Sequence, residues 1–249
     1  MESLTYVIKK LKKVRDHDHR TGCYRGAAHS KCNINFFSNR YVPVVFHNLR
    51  GYDSHLIVKE MYDLFPDKDR SVIPNSYENF MSFGMGPLKF IDSFQFMASS
   101  LEKLVTNLYD KNDKYKNFHS MKQYFESDMD MLCKKGFYPY EWMGDISEMD
   151  FVGLPPKESF YSKLSQTTIS DKDYKQSQTV YEKLKCKTFR DYHMAYLKTG
   201  VLLLADVFEN FRKTCFEYYG LDPTNYISSP GLAWDAMLLK KKCQFRTHL

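Results

Sequence analysis

The sequence contains no C-x-x-C pair, no internal repeat, no low-complexity tract and no long apolar run. Each absence removes a class of protein. The longest purely apolar stretch, VLLLA at 201–205, falls far short of the roughly 20 residues that a membrane-spanning helix needs, so no membrane partner is expected. The N-terminus has no apolar signal core, because Lys9, Lys10, Lys12 and Lys13 interrupt it. The six cysteines therefore read as reduced thiols of an intracellular protein rather than a disulfide framework. What is present is aromatic: 19 Tyr and 19 Phe within a 43 % hydrophobic chain mark a folded protein, not a disordered one. At 249 residues it has room for one large domain or two small ones.

The net charge of +6 is unevenly spread. Residues 1–40 carry nine Lys/Arg against three acids, and the remainder balances at 27 against 27. A basic segment ahead of a neutral body points to phosphate contact at that end, or to a solvated lysine-rich terminus.

The hydrophobic pattern predicts mixed α/β structure. A basic strand-like piece, a turn at Thr21-Gly22 and a short helix over 27–36 form a small N-terminal module. YVPVVF at 41–46 reads as a buried strand and 53–62 as a short helix. MSFGMGPLKFIDSFQF at 81–96 reads as two strands around a Gly-Met-Gly-Pro turn. Ser99 and Ser100 offer N-caps to a helix through Leu108. A long helix runs from about Phe189 to Tyr219, and Gly220 closes it. Within it Leu197, Val201, Leu204, Phe208, Phe211, Cys215 and Tyr218 recur at helical spacing and predict one buried face. Gly200 interrupts this helix, where glycine costs about 1 kcal/mol relative to alanine. A last loop and helix, SSPGLAWDAMLL, gives way to a basic tail.

Two stretches carry chemistry. RDHDHRTGCYRGAAHSKCN at 15–33 sets acid beside imidazole, then places His29, Cys32 and Asn33 close together. Asp and Asn oxygens suit a hard divalent cation, and a neighbouring histidine can take a proton from water. FHNLRGYDSHL at 46–56 sets Asn48 and Tyr52-Asp53 directly after a strand, where a carboxylate can hold a metal. The aromatic and the amide beside it could stack on and hydrogen-bond a single-stranded end.

The first stretch resembles the His-Me finger of recombination endonuclease VII. That resemblance makes Asp16 and Asn33 the metal ligands and His17 the general base, with His19 in support. It also implies a structural zinc, but only His29-x-x-Cys32 of the two ligand pairs is present, which is half of a tetrahedral site. The module is thus expected to be partial, without bound zinc and without nuclease activity.

Further motifs follow in chain order. Asn48-x-x-x-Tyr52-Asp53 resembles the second exonuclease motif of family B DNA polymerases. Ser100-Leu101-Glu102-Lys103-Leu104 and Lys157-Glu158-Ser159-Phe160 resemble two motifs of the protein-primed members. Tyr196 resembles the start of their Y-x-x-x-D motif. HNLRGYDSHL, FIDSFQF, LPPKESFYSKL, DYHMAYLK and SSPGLAWDAML look like polymerases of Polinton/Maverick-type transposons and related viruses, in which an endonuclease VII-like insert precedes the second exonuclease motif. The resemblance spans roughly residues 12–239. It implies a ribonuclease H-like 3′–5′ exonuclease domain over 41–220, preceded by a partial ββα module over 1–40. A helical approach to the polymerase palm follows over 221–249. It implies Mg²⁺ or Mn²⁺ as cofactor and DNA as partner, either a single-stranded 3′ end or a primer-template. It further implies a terminal protein as primer, and a place in the nucleus or at a viral replication site. Asp53 and Tyr196 become catalytic positions; Asn48, Tyr52, Ser100, Leu101 and Lys157 become DNA contacts.

Against that pattern, the chain has no D-x-E motif, no palm motif of the D-x-x-S-L-Y-P or D-T-D kind, and Gly200 where the third motif has its aspartate. At 100° per residue, Asp206 and Glu209 point elsewhere, and the face of Gly200 carries His193, Tyr196, Leu203 and Val207. The expectation is a fragment of a DNA-directed DNA polymerase that contacts DNA without cutting it, truncated at both ends. The alternatives are a free-standing metal-dependent His-Me nuclease and a non-catalytic single-strand-binding remnant.

Overall fold

A computed structural model describes residues 13–17, 23–30, 41–51, 53–64, 70–76, 79–125 and 128–245. The chain forms two compact units, Met1–Val42 and Pro43–Leu249.

In the first unit, β1 (Lys13–His17) pairs antiparallel with β2 (Tyr24–His29), with Lys13 opposite His29 and Asp16 opposite Gly26. Of the helix expected over 27–36, Ala27, Ala28 and His29 belong instead to β2, and 31–36 lie outside the described residues. The pairing of 27–29 with Lys13, Val14 and Arg15 supplies ladder hydrogen bonds, and this pairing overrides alanine's high helix propensity.

The second unit is mixed α/β. Its sheet runs in the order β3 (Val42–Phe46), β6 (Leu88–Asp92), β5 (Phe80–Met85), β4 (Arg70–Pro74). Strands β5 and β6 form the expected hairpin, turning at Gly86, whose φ of 51° suits glycine. Strand β4 had no sequence signal beyond a five-residue apolar-polar mixture; it is an edge strand, where its terminal Pro74 is tolerated. Strand β3, expected to be buried, lies at the other edge with Val42 and Pro43 exposed.

Helix α1 (Asp53–Leu64) supplies Val58 and Met61 to a core with Leu49, Phe83 and Phe90. The Phe83 and Phe90 rings, opposite in register, stack at 4.5 Å. Ser100 caps α2 (Leu101–Leu108) by accepting the Lys103 amide at 3.4 Å. Helices α3 (His119–Tyr124) and α4 (Met129–Leu132) join α2 around the long helix α6 (Phe189–Tyr219). Val105, Leu108, Phe118, Met121 and Leu132 meet Leu203 and Val207 there. Helix α5 (Asp171–Lys183) precedes α6 and α7 (Ser229–Phe245) follows it. The basic stretch after Leu239 thus continues a helix rather than forming a tail.

Helix α6 has the expected ends: Asp191 accepts the Thr188 amide at 3.1 Å, and Gly220 (φ 67°) donates to the Phe216 carbonyl at 2.8 Å. Its buried face matches the predicted one only in part. Phe208 and Cys215 of the predicted face are buried, but Leu197, Val201 and Tyr218 are 44 %, 66 % and 70 % exposed, while Tyr192, Thr199, Leu203, Asp206 and Val207 are buried beside them. The helix carries apolar residues on more than one side, so periodicity alone could not choose the side that packs.

Candidate nucleic-acid groove

The second unit contains a cavity of about 1000 Å³ whose wall is built from five stretches of chain. His47 and Asp53 come from the segment after β3, and Ser100, Leu101 and Glu102 from the start of α2. The segment Lys134–Phe137, the first turns of α5 and the Tyr196–Gly200 face of α6 complete it. Five residues singled out from sequence, Asp53, Ser100, Leu101, Tyr196 and Gly200, line this one cavity.

Asp53 opens α1, where a carboxylate is favoured by the positive end of the helix. Asn48 precedes it in a left-handed conformation (φ 66°) that asparagine tolerates. Its amide donates to Asp92 Oδ1 at 2.8 Å, and its side chain lies over Gly51, where an added Cβ would stand 2.8 Å from Asn48 Oδ1. Asn48 is exposed and is not part of the cavity wall. His47, which the sequence reading passed over, joins the two motifs: Nε2 donates to the Ser99 carbonyl at 2.8 Å, and Nδ1 lies 2.9 Å from Ser93 Oγ. A carbonyl only accepts, so Nε2 carries a proton.

Tyr196 is embedded in aromatics. Its ring lies 5.0 Å from that of Tyr138, and its hydroxyl is 2.5 Å from that of the exposed Tyr140. Burial, and then the bond to Tyr140, push the Tyr196 phenol well above its ordinary range, so it stays neutral. Gly136 permits this packing, because a Cβ there would stand 2.8 Å from Tyr196 Cδ2. One turn before Tyr196, Tyr138 bonds His193 Nδ1 at 2.8 Å, and burial lowers the His193 pKa.

At Gly200 an added Cβ would meet nothing within 4 Å. The groove thus has open space where an aspartate side chain would project. Neither nearby acid of α6 replaces it. Asp206, 2 % exposed, accepts the Ser120 and Met121 amides at 2.7 and 3.1 Å and caps α3; Glu209 pairs with Arg212 at 2.6 Å. Of the other acids on the wall, Glu102 faces Lys135 at 3.9 Å, and Asp173 accepts from the Ser170 hydroxyl at 2.8 Å. Among the described residues no three His, Cys, Asp or Glu side chains converge as a cation site requires. The donors present do not fit a two-cation centre. Lys134, Lys135 and Lys172 supply positive charge on the same wall.

Lys157 stands apart from the cavity and pairs with Asp171 Oδ1 at 2.6 Å. Tyr52 lies outside the described residues, as do His19, Cys32 and Asn33. In the first unit the Asp16 carboxylate is bonded to the Arg25 guanidinium at 2.7 Å. His17 and His29 are exposed, His29 paired with Lys13 at the far end of the hairpin from Asp16.

This is a mixed α/β protein with a groove that gathers a carboxylate, aromatics and lysines. Residues 33–244 match the family described as DNA polymerase type B, organellar and viral. The match covers most of the chain, and the chain belongs to that family, whose partner is DNA. No curated protein and no solved structure matches it. No helix among the described residues is long and apolar enough to cross a membrane.

Proposed function

We propose that this chain is the exonuclease region of a protein-primed type B DNA polymerase of the Polinton/Maverick-transposon or viral kind, and that its groove holds a single-stranded 3′ end without cutting it. The observation that carries the reading is the meeting of Asp53, Ser100, Leu101 and Tyr196 on one wall with Gly200, whose missing side chain leaves open space. On this reading residues 41–220 are a ribonuclease H-like domain, 221–249 lead toward a palm, and 1–40 are the remnant of a His-Me insert. Mg²⁺ or Mn²⁺ serves proofreading in the parent polymerase, and a terminal protein primes its synthesis in the nucleus or at a viral replication site.

Cleavage by two cations needs carboxylates on both, one activating water and one steadying the leaving oxygen. Asp53 alone cannot provide that. Binding needs only stacking and charge: base–aromatic contacts contribute roughly 1–3 kcal/mol each, with Tyr52 and Tyr196 as the aromatic groups. Asn48 hydrogen-bonds the strand beside the groove, and Lys157 contacts it further along. The committed Asp16–Arg25 ion pair does not favour the free-standing nuclease reading.

The test is fluorescence anisotropy with a labelled single-stranded oligonucleotide in Mg²⁺ or Mn²⁺, followed by gel analysis. Binding that weakens on Tyr196→Ala, with the oligonucleotide intact, is expected. Absence of binding, or shortening from the 3′ end, would overturn the proposal.

A further inference from the structure

Asp92 ends β6 in the middle of the unit and is 1 % exposed. A buried carboxylate is costly unless its oxygens are satisfied. Here three backbone amides satisfy it: Oδ1 accepts from Asn48 at 2.8 Å and Phe94 at 3.0 Å, and Oδ2 accepts from Arg50 at 3.2 Å. Two of these donors belong to the loop that turns left-handed at Asn48 and runs into the helix opened by Asp53. The third belongs to the short turn at Ser93–Gln95, whose Ser93 hydroxyl meets His47.

We infer that Asp92 is a positioning residue: its two carboxylate oxygens, clamping the Asn48 and Arg50 amides, hold the Asn48 loop in its DNA-binding geometry. This rests on the reading of the groove as a DNA site, and it assigns the setting of that loop to a residue that itself touches no DNA. The chemistry requires a carboxylate rather than an amide. Aspartate presents an acceptor to both sides, whereas asparagine presents one oxygen and one NH₂. An NH₂ facing either backbone N–H sets donor against donor, and the loop loses one of its two anchors.

Asp206 provides a matched control. It is equally buried and also accepts two backbone amides, yet those belong to α3 and it is not on the cavity wall. The experiment compares binding of an oligothymidylate of roughly 12 nucleotides by the full chain and by Asp92→Asn, Asn48→Ala, the double variant and Asp206→Asn. Asp92→Asn is expected to weaken binding about tenfold. The double variant should bind no worse than Asn48→Ala alone, because one residue acts through the other. Asp206→Asn should lower thermal stability without changing affinity. Unchanged affinity in Asp92→Asn, or additive losses in the double variant, overturns the inference while leaving DNA binding intact. Failure of the unaltered chain to bind removes the groove reading itself. Should Asp92→Asn not fold, amide hydrogen exchange on the unaltered chain decides: Asn48 and Arg50 must be as protected as the strands, and fast exchange there overturns the inference.

Discussion

Asp53 and Gly200 come from different helices and line the same cavity, and a Cβ added at Gly200 meets nothing within 4 Å. The substitution Gly200→Asp therefore has space to be accommodated. It should stabilise the chain in chelator by about 0.3 kcal/mol, the difference in helix propensity between the two residues. Glu102 is engaged by Lys135 and Asp173 by Ser170, so the new carboxylate joins Asp53 as a free acid among the described residues of the wall, and Mn²⁺ should raise the thermal midpoint of the variant and not that of the parent. No exonuclease activity is expected. Thermal melts with and without Mn²⁺, together with a 3′-end degradation assay, check this; cleavage by the single variant would refute the account of the site.

Gly136→Ala should displace the Tyr196 ring. The new methyl would stand 2.8 Å from Cδ2 of a ring held by Tyr138 and Tyr140. Overpacking of this kind costs about 1–3 kcal/mol, measurable by urea denaturation. A stability equal to that of the parent would show that the ring is free to move.

Lys134, Lys135 and Lys172 carry the positive charge of the groove wall. If a strand's phosphates lie along them, replacing all three by alanine should reduce the slope of log affinity against log salt by about 2, at roughly 0.7 per phosphate. Titrations at several salt concentrations measure it, and an unchanged slope would place the phosphates elsewhere.

The turn after α6 has a pH signature. Arg212 grips Asp222 through two bonds, Nε to Oδ1 at 3.0 Å and Nη2 to Oδ2 at 2.6 Å. Arg212, ahead of the opposing effect of burial, lowers the Asp222 pKa to about 2. A depressed folded-state pKa means that the stabilisation is complete above the unfolded value of 3.8 and is lost as pH falls through about 2. Asp222→Asn should cost about 1 kcal/mol at neutral pH, a figure kept small because the pair is partly solvated. The gap between variant and parent should close across that acid window in chemical denaturation. A gap that persists at the acid end would mean that the loss is not electrostatic.

Much of this architecture was legible beforehand. The hairpin around Gly86, the Ser100 cap and both ends of α6 rest on local chemistry, which a short window of sequence contains. The five groove residues were legible too, because they stand in short motifs of fixed spacing. Strand β4 was not legible, since RSVIP becomes a strand only beside β5. The residues 27–29 have helical composition and are extended by their partner strand. His47 and Asp92 gave no signal because their roles are bonds to distant backbone groups. His47 meets Ser99 and Asp92 meets Asn48, pairs that no periodicity connects.

The sequence by itself determined the type B polymerase family and set a glycine at position 200 of the long helix, both of which are matters of residue identity. Only the tertiary structure decided which side of α6 is buried. Its helix has enough apolar residues to pack in more than one rotation, and the selection was made by its neighbours: α2, α3 and α4 bury Leu203 and Val207. Asp206 is fixed on the same side by the Ser120 and Met121 amides. That rotation puts Tyr196 and Gly200 on the wall of the cavity that Asp53 lines, with the exposed Val201 beside them.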